Sequence, residues 1–196
     1  MSHFDDLKGV VPALVTPLNK KRRIDEAALR RMVRRVIDGG SDGILALGSA
    51  GEGPLLIDTE REIVVKTAVD EAAGRVPIIA GVDSLGTEKA IEGVCKVAEY
   101  GAKYALVLPP FYMPITDQEI YAFYKVLSEN VPIPVLVYNI PQLTSVQISL
   151  ATIRKIAELD NVAGIKDSAG DMTWFQNMQN QCQSPDFKIF QGRTTP

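Results

Sequence analysis

Val162-Ala163-Gly164-Ile165-Lys166 is followed at once by Asp167-Ser168-Ala169-Gly170-Asp171. The first stretch is a short apolar run closed by a lysine, and the second is polar and glycine-bearing. That succession reads as a buried β-strand ending in a turn. In parallel β/α proteins the carboxyl ends of the strands are where the chemistry sits. An amine drawn into an apolar pocket loses hydration of its ammonium form, which favours the neutral nucleophile. Such an amine forms a Schiff base with a carbonyl compound. The plain alternative is a solvated lysine at a strand terminus. The remaining lysines separate the two readings. Lys66, Lys89, Lys96, Lys125 and Lys155 fall on helical patterns, Lys103 and Lys188 at strand beginnings, and Lys8, Lys20 and Lys21 near the N-terminus. Lys166 alone ends a strand.

Outward from this stretch, apolar runs alternate with helical patterns. Strands are predicted at Val10–Val15, Gly43–Leu47, Val76–Val82, Lys103–Leu108, Pro134–Tyr138, Val162–Lys166 and Phe187–Gln191. Helices are predicted at Arg23–Gly39, Asp58–Ala73, Thr87–Tyr100, Asp117–Glu129, Ser149–Leu159 and, more weakly patterned, Asp171–Gln181. Asp58 or Thr59 is placed to cap the second of these. The strands are apolar throughout rather than alternating, as in a parallel sheet covered on both faces. The unit recurs about every 25 to 35 residues, the scale of a βαβ motif. A (β/α)8 TIM barrel and a doubly wound sheet both fit this alternation. Polar strand ends and the lack of a dinucleotide fingerprint favour the barrel.

A barrel closes with eight strands, and only seven are counted here. Open apolar edges are an aggregation hazard. The expectation is therefore one α/β domain over residues 1–196, a TIM barrel truncated after the seventh strand and incomplete at its C-terminus. A natural truncated product with its edges covered by a partner is the alternative.

Composition narrows the function. Hydrophobic residues at 46% and charged residues at 23% are ordinary for a folded soluble domain. A net charge of −3 gives no footprint for nucleic acid or an anionic membrane. Lys20–Arg23 and Arg30, Arg31, Arg34 and Arg35 are too few to reverse this and read as solvated faces. Cys95 and Cys182 are far apart and have no metal-type spacing, which fits free thiols in a reducing cytoplasm. His3 is the sole histidine, against histidine triads and histidine-ligated metals. No apolar run is long enough to span a membrane.

At the predicted strand ends stand Thr16-Pro17, Gly48-Ser49, Asp83-Ser84, Phe111-Tyr112, Tyr138-Asn139, Lys166 and Gln191-Gly192. An amine, two phenols and a hydroxyl thus converge, a usable set for imine chemistry. Gly48-Ser49-Ala50-Gly51-Glu52-Gly53 is neither a P-loop nor a dinucleotide motif. Its backbone N–H groups suit a small carboxylate, or it is a plain turn. Tyr138 reads equally as a core aromatic with a polar tip, and Tyr112 as loop or interface packing.

The chain resembles the pyruvate-dependent class I aldolases and lyases: dihydrodipicolinate synthase, N-acetylneuraminate lyase and the 2-keto-3-deoxy-sugar-acid aldolases. The resemblance rests on Gly9-Val-Val-Pro12-Ala-Leu-Val-Thr16-Pro17, Gly48-Ser-Ala-Gly-Glu52, Pro110-Phe-Tyr112, Tyr138-Asn-Ile-Pro141 and Gly164-Ile-Lys166-Asp167, and runs along the whole chain. It implies that Lys166 attacks the carbonyl of pyruvate or another 2-keto acid. It implies Tyr138 as general acid/base and Ser49 and Tyr112 as the rest of a proton relay, with Tyr112 reaching in from a neighbouring subunit. Ser49, Ala50 and Gly192 are implied in substrate binding. It further implies an aldehyde as second substrate, a homo-oligomer built as a dimer of dimers, and no metal or organic cofactor. A keto-deoxy sugar acid dehydratase using the same imine, or an inactive fragment or 2-keto-acid-binding protein, are the alternatives.

Four positions depart from the family pattern. Ala50 stands where a threonine or serine is usual. Leu143 stands where dihydrodipicolinate synthases carry an arginine for the second substrate's carboxylate. Thr194 and Thr195 stand where neuraminate lyases have acidic residues.

Overall fold

The computed structural model describes residues 4–193 apart from residue 84. His3, Ser84, Thr194 and Thr195 lie outside the described residues. Six of the apolar runs form strands: β1 (Ile44–Ala46), β2 (Ile78–Val82), β3 (Tyr104–Val107), β4 (Val135–Asn139), β5 (Val162–Asp167) and β6 (Lys188–Gln191). They pair in parallel, in the order β1-β2-β3-β4-β5-β6. Between them run α1 (Glu26–Asp38), α2 (Asp58–Ala72), α3 (Thr87–Glu99), α4 (Asp117–Glu129), α5 (Pro141–Thr144), α6 (Leu150–Ile156) and α7 (Met172–Cys182), α1 leading into β1.

The strand order separates the two architectures left open by the sequence. A doubly wound sheet reverses its order at a switch point and so carries helices on both faces. Here every connection advances in one direction. Right-handed crossovers then put every helix on the same face. Among the described residues no helix covers the other face, whose strand side chains pack on one another and on the N-terminal segment.

Two core clusters follow from that geometry. The cluster between sheet and helices takes Ile44, Ala46, Ile78, Ala80, Val82, Ala105, Val107, Val135 and Val137 from the strands and Leu29, Val65, Val94, Leu127 and Ile153 from the helices. The inner cluster takes the alternate strand residues Leu45, Ile79, Tyr104, Leu106, Leu136 and Tyr138. Phe4 and Leu7 fill the inner face from the N-terminal segment. Phe4 meets Tyr104 edge-on, and Asp6 accepts hydrogen bonds from the Tyr104 hydroxyl at 2.6 Å and Lys103 Nζ at 2.5 Å. The start of β3 is thereby tied to the N-terminal segment.

The helices start where short polar side chains satisfy the first free N–H groups. Asp25, Thr116, Ser149 and Asp171 accept from the backbone N–H of Ala28, Glu119, Thr152 and Trp174. Asp58 is instead the first residue of α2, after Ile57.

The segment expected as a first strand, Val10–Val15, is not a regular strand. It joins β1 through a single parallel bridge, Ala13↔Leu45. Leu14 N donates to the Leu45 carbonyl and Leu45 N to the Pro12 carbonyl, both at 2.9 Å. Pro12 has no N–H to extend the ladder, and Pro17 follows close behind. The sheet of the described residues therefore has six strands plus this bridged segment, not seven strands. No helix among the described residues is long and apolar enough to cross a membrane.

Candidate functional site

Tyr138 and Lys166 are each the penultimate residue of their strand, and they are register partners. Their adjacency depends on an irregularity lower in the ladder. The pairing shifts between Val135↔Val162 and Leu136↔Gly164, so β5 carries one extra residue. Val162 and Ile165, three apart, consequently both face the helices, and Ala163 faces inward. Beyond the bulge Lys166 faces inward, with Nζ 4.9 Å from the centre of the Tyr138 ring. Gly164 makes this possible: a Cβ there would lie 2.0 Å from the Lys188 carbonyl oxygen of β6.

Ser49 opens a 3-10 turn, Ser49–Gly51, with Leu47 and Gly48 between it and the end of β1. Its Oγ lies 3.3 Å from the Tyr138 hydroxyl. The turn is docked at both ends. The Thr16 hydroxyl donates to the Gly51 carbonyl at 2.6 Å. Leu47 holds a left-handed backbone at φ 57°, and its carbonyl is packed so closely that a Cβ on Gly53 or Gly81 would lie 2.0 or 2.2 Å from it. Ala50 is exposed on this turn. Gly192 completes the group from the end of β6, where a Cβ would meet Lys166 Cε at 2.8 Å and Ser168 Oγ at 2.1 Å.

Lys166, Tyr138, Ser49 and Gly192 are therefore brought together, with Ala50 beside Ser49. Tyr112 is not. It is 77% exposed and lines a surface cleft with Phe111, Arg61 and Asp83. Leu143, on α5, is 63% exposed.

Two features escaped the sequence reading. Arg61, at the start of α2, pairs with Asp83 at 2.7 Å and donates to the carbonyls of Gly53 and Gly81 at 3.0 and 3.1 Å. It fastens the glycine-rich turn to the end of β2. Asn139 and Asp167, the last residues of β4 and β5, form a buried pair in which the Asn139 amide donates to Asp167 Oδ1 at 2.7 Å. Burial pushes the Asp167 carboxyl above the ordinary carboxylate range, and the Asn139 hydrogen bond offsets part of that. The signal was present: an asparagine directly after the strand-end tyrosine and an aspartate directly after the strand-end lysine. Among the described residues there is no group of three His, Cys, Asp or Glu able to hold a metal ion.

The fold and site together define a parallel β/α protein of the barrel kind, with a lysine–tyrosine pair at the carboxyl ends of adjacent strands. The family model described as the Dihydrodipicolinate synthetase family matches residues 6–195, and the chain belongs to that family. It is 40% identical over 162 residues to the 4-hydroxy-tetrahydrodipicolinate synthase of Methylobacterium radiotolerans, covering 83% of this chain and 54% of the relative. Among solved structures it is similar to dihydrodipicolinate synthase from Aquifex aeolicus, at 34% identity and a TM-score of 0.87. It is also similar to the chloride-inhibited dihydrodipicolinate synthase of Acinetobacter baumannii complexed with pyruvate, at 33% identity and a TM-score of 0.90. Both comparisons cover 94% of this chain and 63% of the solved one. The chain thus spans between half and two thirds of the length of these relatives.

Proposed function

We propose that this protein is a Schiff-base-forming aldolase or lyase that joins pyruvate, or another 2-keto acid, to an aldehyde or cleaves such a product. The observation that carries this reading is the inward-facing Lys166 amine beside the Tyr138 ring, with Ser49 Oγ 3.3 Å from the Tyr138 hydroxyl. The neutral amine adds to the C2 carbonyl. The carbinolamine then loses water with a proton supplied by Tyr138, and an imine forms. Loss of a proton from C3 gives the enamine, whose carbon bonds to the aldehyde carbon. Water finally hydrolyses the new imine and frees Lys166. The imine is the electron sink, so the sequence of steps draws on no metal or organic cofactor.

Ser49 serves as the next hydroxyl in the relay and, with the backbone at Ala50, holds the 2-keto acid's carboxylate. Ala50 offers no side-chain hydroxyl there, and its exposed position leaves the backbone N–H groups and Ser49 to hold the carboxylate. Gly192 leaves room beside the Lys166 side chain. Tyr112 joins the relay from a second copy of the chain in a homo-oligomer, a role supported by its exposure on the free chain. The described strands belong to an eight-stranded barrel. Leu143 cannot form the bidentate contact an arginine gives a carboxylate. The second substrate is thus an aldehyde without a carboxylate at that position.

Borohydride trapping tests the proposal. The protein is incubated with pyruvate, reduced, and weighed intact. A pyruvate adduct on the wild type that is lost in Lys166→Ala is expected. Absence of any adduct at millimolar pyruvate would overturn the reading in favour of an inactive product. Aldehydes with and without a carboxylate, tested next, assign the second substrate. Release of water from a keto-deoxy sugar acid without C–C cleavage would make the enzyme a dehydratase.

A further inference from the structure

The proposed chemistry needs Lys166 and Tyr138 at one fixed spacing, and the ladder below them does not guarantee it. Val162–Ile165 is apolar throughout, so its hydrophobic pattern does not choose between registers, and a one-residue slip sends every side chain beyond it to the opposite face. In the β4–β5 pair such a slip would turn Lys166 out of the inner face and into the helix layer. Something beyond the bulge has to hold the register.

The last register pair, Asn139↔Asp167, is placed to do so. Alternation puts these two side chains on the helix side of the sheet, behind Tyr138 and Lys166. Ile148, part of the helix-side core, donates its N–H to Asn139 Oδ1 at 3.5 Å. Asn139 and Asp167 are 1% and 0% exposed. Besides the 2.7 Å amide-to-carboxyl hydrogen bond, Asp167 Oδ1 receives the Ala169 N–H at 3.4 Å. Ser168 N donates to the Asn139 carbonyl at 2.8 Å, and Gly192 N to the Asp167 carbonyl at 2.6 Å. The same two residues therefore bind β4, β5 and the end of β6. A slip would strand a buried amide and a buried carboxyl without each other, the costly outcome for polar groups out of water.

We infer that Asn139 and Asp167 are positioning residues that lock the register of the bulged β4–β5 pair and so hold Lys166 against Tyr138. Neither touches the reacting atoms. The inference rests on the Schiff-base reading for its kinetic consequence, whereas its geometric consequence stands apart from that reading. Asp167 Oδ2 has no partner among the described side chains. The lock therefore uses only Oδ1, which an asparagine at 167 also offers.

The test compares wild type, Asp167→Ala, Asn139→Ala, the double variant and Asp167→Asn in the full chain. Thermal melts give the folded fraction, and borohydride trapping gives the rate of imine formation per folded molecule across pyruvate concentrations. Each alanine variant is expected to lower the saturating rate about 100-fold, the order set by a misplacement near 1 Å, while half-saturation moves far less. The double variant is expected to be no slower than either single one, because both remove one device. Asp167→Asn is expected to recover most of the rate. Alanine variants that melt lower yet trap at the wild-type rate per folded molecule would reduce the pair to ordinary structural hydrogen bonding and overturn the inference. If alanine prevents folding, Asn139→Ser is read in the same way. If the wild type traps nothing, the Schiff-base reading fails on its own, and crystal structures take over. Asp167→Ala with Lys166 Nζ still 4.9 Å from the Tyr138 ring then overturns the lock, and a displaced or outward-turned lysine supports it.

Discussion

The two ends of the sheet are built on opposite terms. At the N-terminal end of β3, Asp6 takes hydrogen bonds on both carboxylate oxygens, at 2.5 and 2.6 Å, while Phe4 and Leu7 seal the inner face. At the carboxyl ends, Ser49 and Tyr138 stand 3.3 Å apart, Lys166 lies 4.9 Å from an aromatic ring, and one Asp167 oxygen has no partner among the described residues. The two carboxyls record the contrast. Burial alone would raise Asp6, but the hydrogen bonds from Lys103 and Tyr104 outweigh it and hold the group below its ordinary range. Burial of Asp167 wins over its partners and raises it. One carboxyl is fully satisfied; the other, behind the site, is incompletely paired.

The sharpest way to separate the ends is Tyr138→Phe. Loss of the phenolic proton is expected to slow imine formation by about 10²- to 10⁴-fold. Stability should hardly move, because among the described residues the side-chain hydrogen bond lost is the long one to Ser49. Trapping kinetics and a urea titration on the same sample check both halves. A loss of stability comparable with the loss of rate would mean that the carboxyl end also carries the fold.

Leu7→Ala is the converse. Leu7 is fully buried, and its truncation is expected to cost about 2–5 kcal/mol in urea unfolding. The rate of imine formation per folded molecule should stay at the wild-type value. A parallel fall in that rate would break the division between the two ends.

Asp6→Asn has the smallest expected effect, and its sign matters more than its size. A carboxyl held low in the folded state adds stability that is present above its unfolded pKa and lost as pH falls through the folded value. The substitution should therefore flatten the acid limb of the stability curve, by about 0.5–1 kcal/mol given that the group is more than a third exposed. Asp167, raised by folding, acts in the reverse sense. Its stability contribution is full below the unfolded pKa and declines as pH rises toward the folded value. Urea unfolding across the acid range for Asp6→Asn and Asp167→Asn should give pH slopes that change in opposite directions.

Much of the fold was legible because strands buried on both faces leave unbroken apolar runs, as Gly43–Leu47 and Pro134–Tyr138 do. Val10–Val15 has the same character but contains Pro12, and composition hid the missing donor. The four residues of α5 were missed because so short a helix, starting at Pro141, has no period to detect. At the site, Lys166, Tyr138 and Ser49 could be gathered from strand ends alone. Their facing could not: Val-Ala-Gly-Ile is apolar throughout, so nothing in it marks the extra residue that turns Lys166 inward. Asn139 and Asp167 were passed over because a polar residue after a strand ordinarily meets water, and burial of this pair depends on strands far apart in sequence. Tyr112 was grouped with the others by its place after the fourth apolar run; it is exposed on the single chain, and only the resemblance pointed to a neighbouring subunit.

The left-handed Leu47, wedged between Gly53 and Gly81, has a consequence for how this protein can change. Any side chain larger than hydrogen at 53 or 81 would strike the Leu47 carbonyl, and the turn that presents Ser49 would have to move with it. The floor of the site is thus closed to gradual remodelling. Leu143 on α5, by contrast, stands in open space and is free to vary. A mutant library directed at 142–143 should recover many folded variants, and one directed at 47–53 mostly unfolded chains.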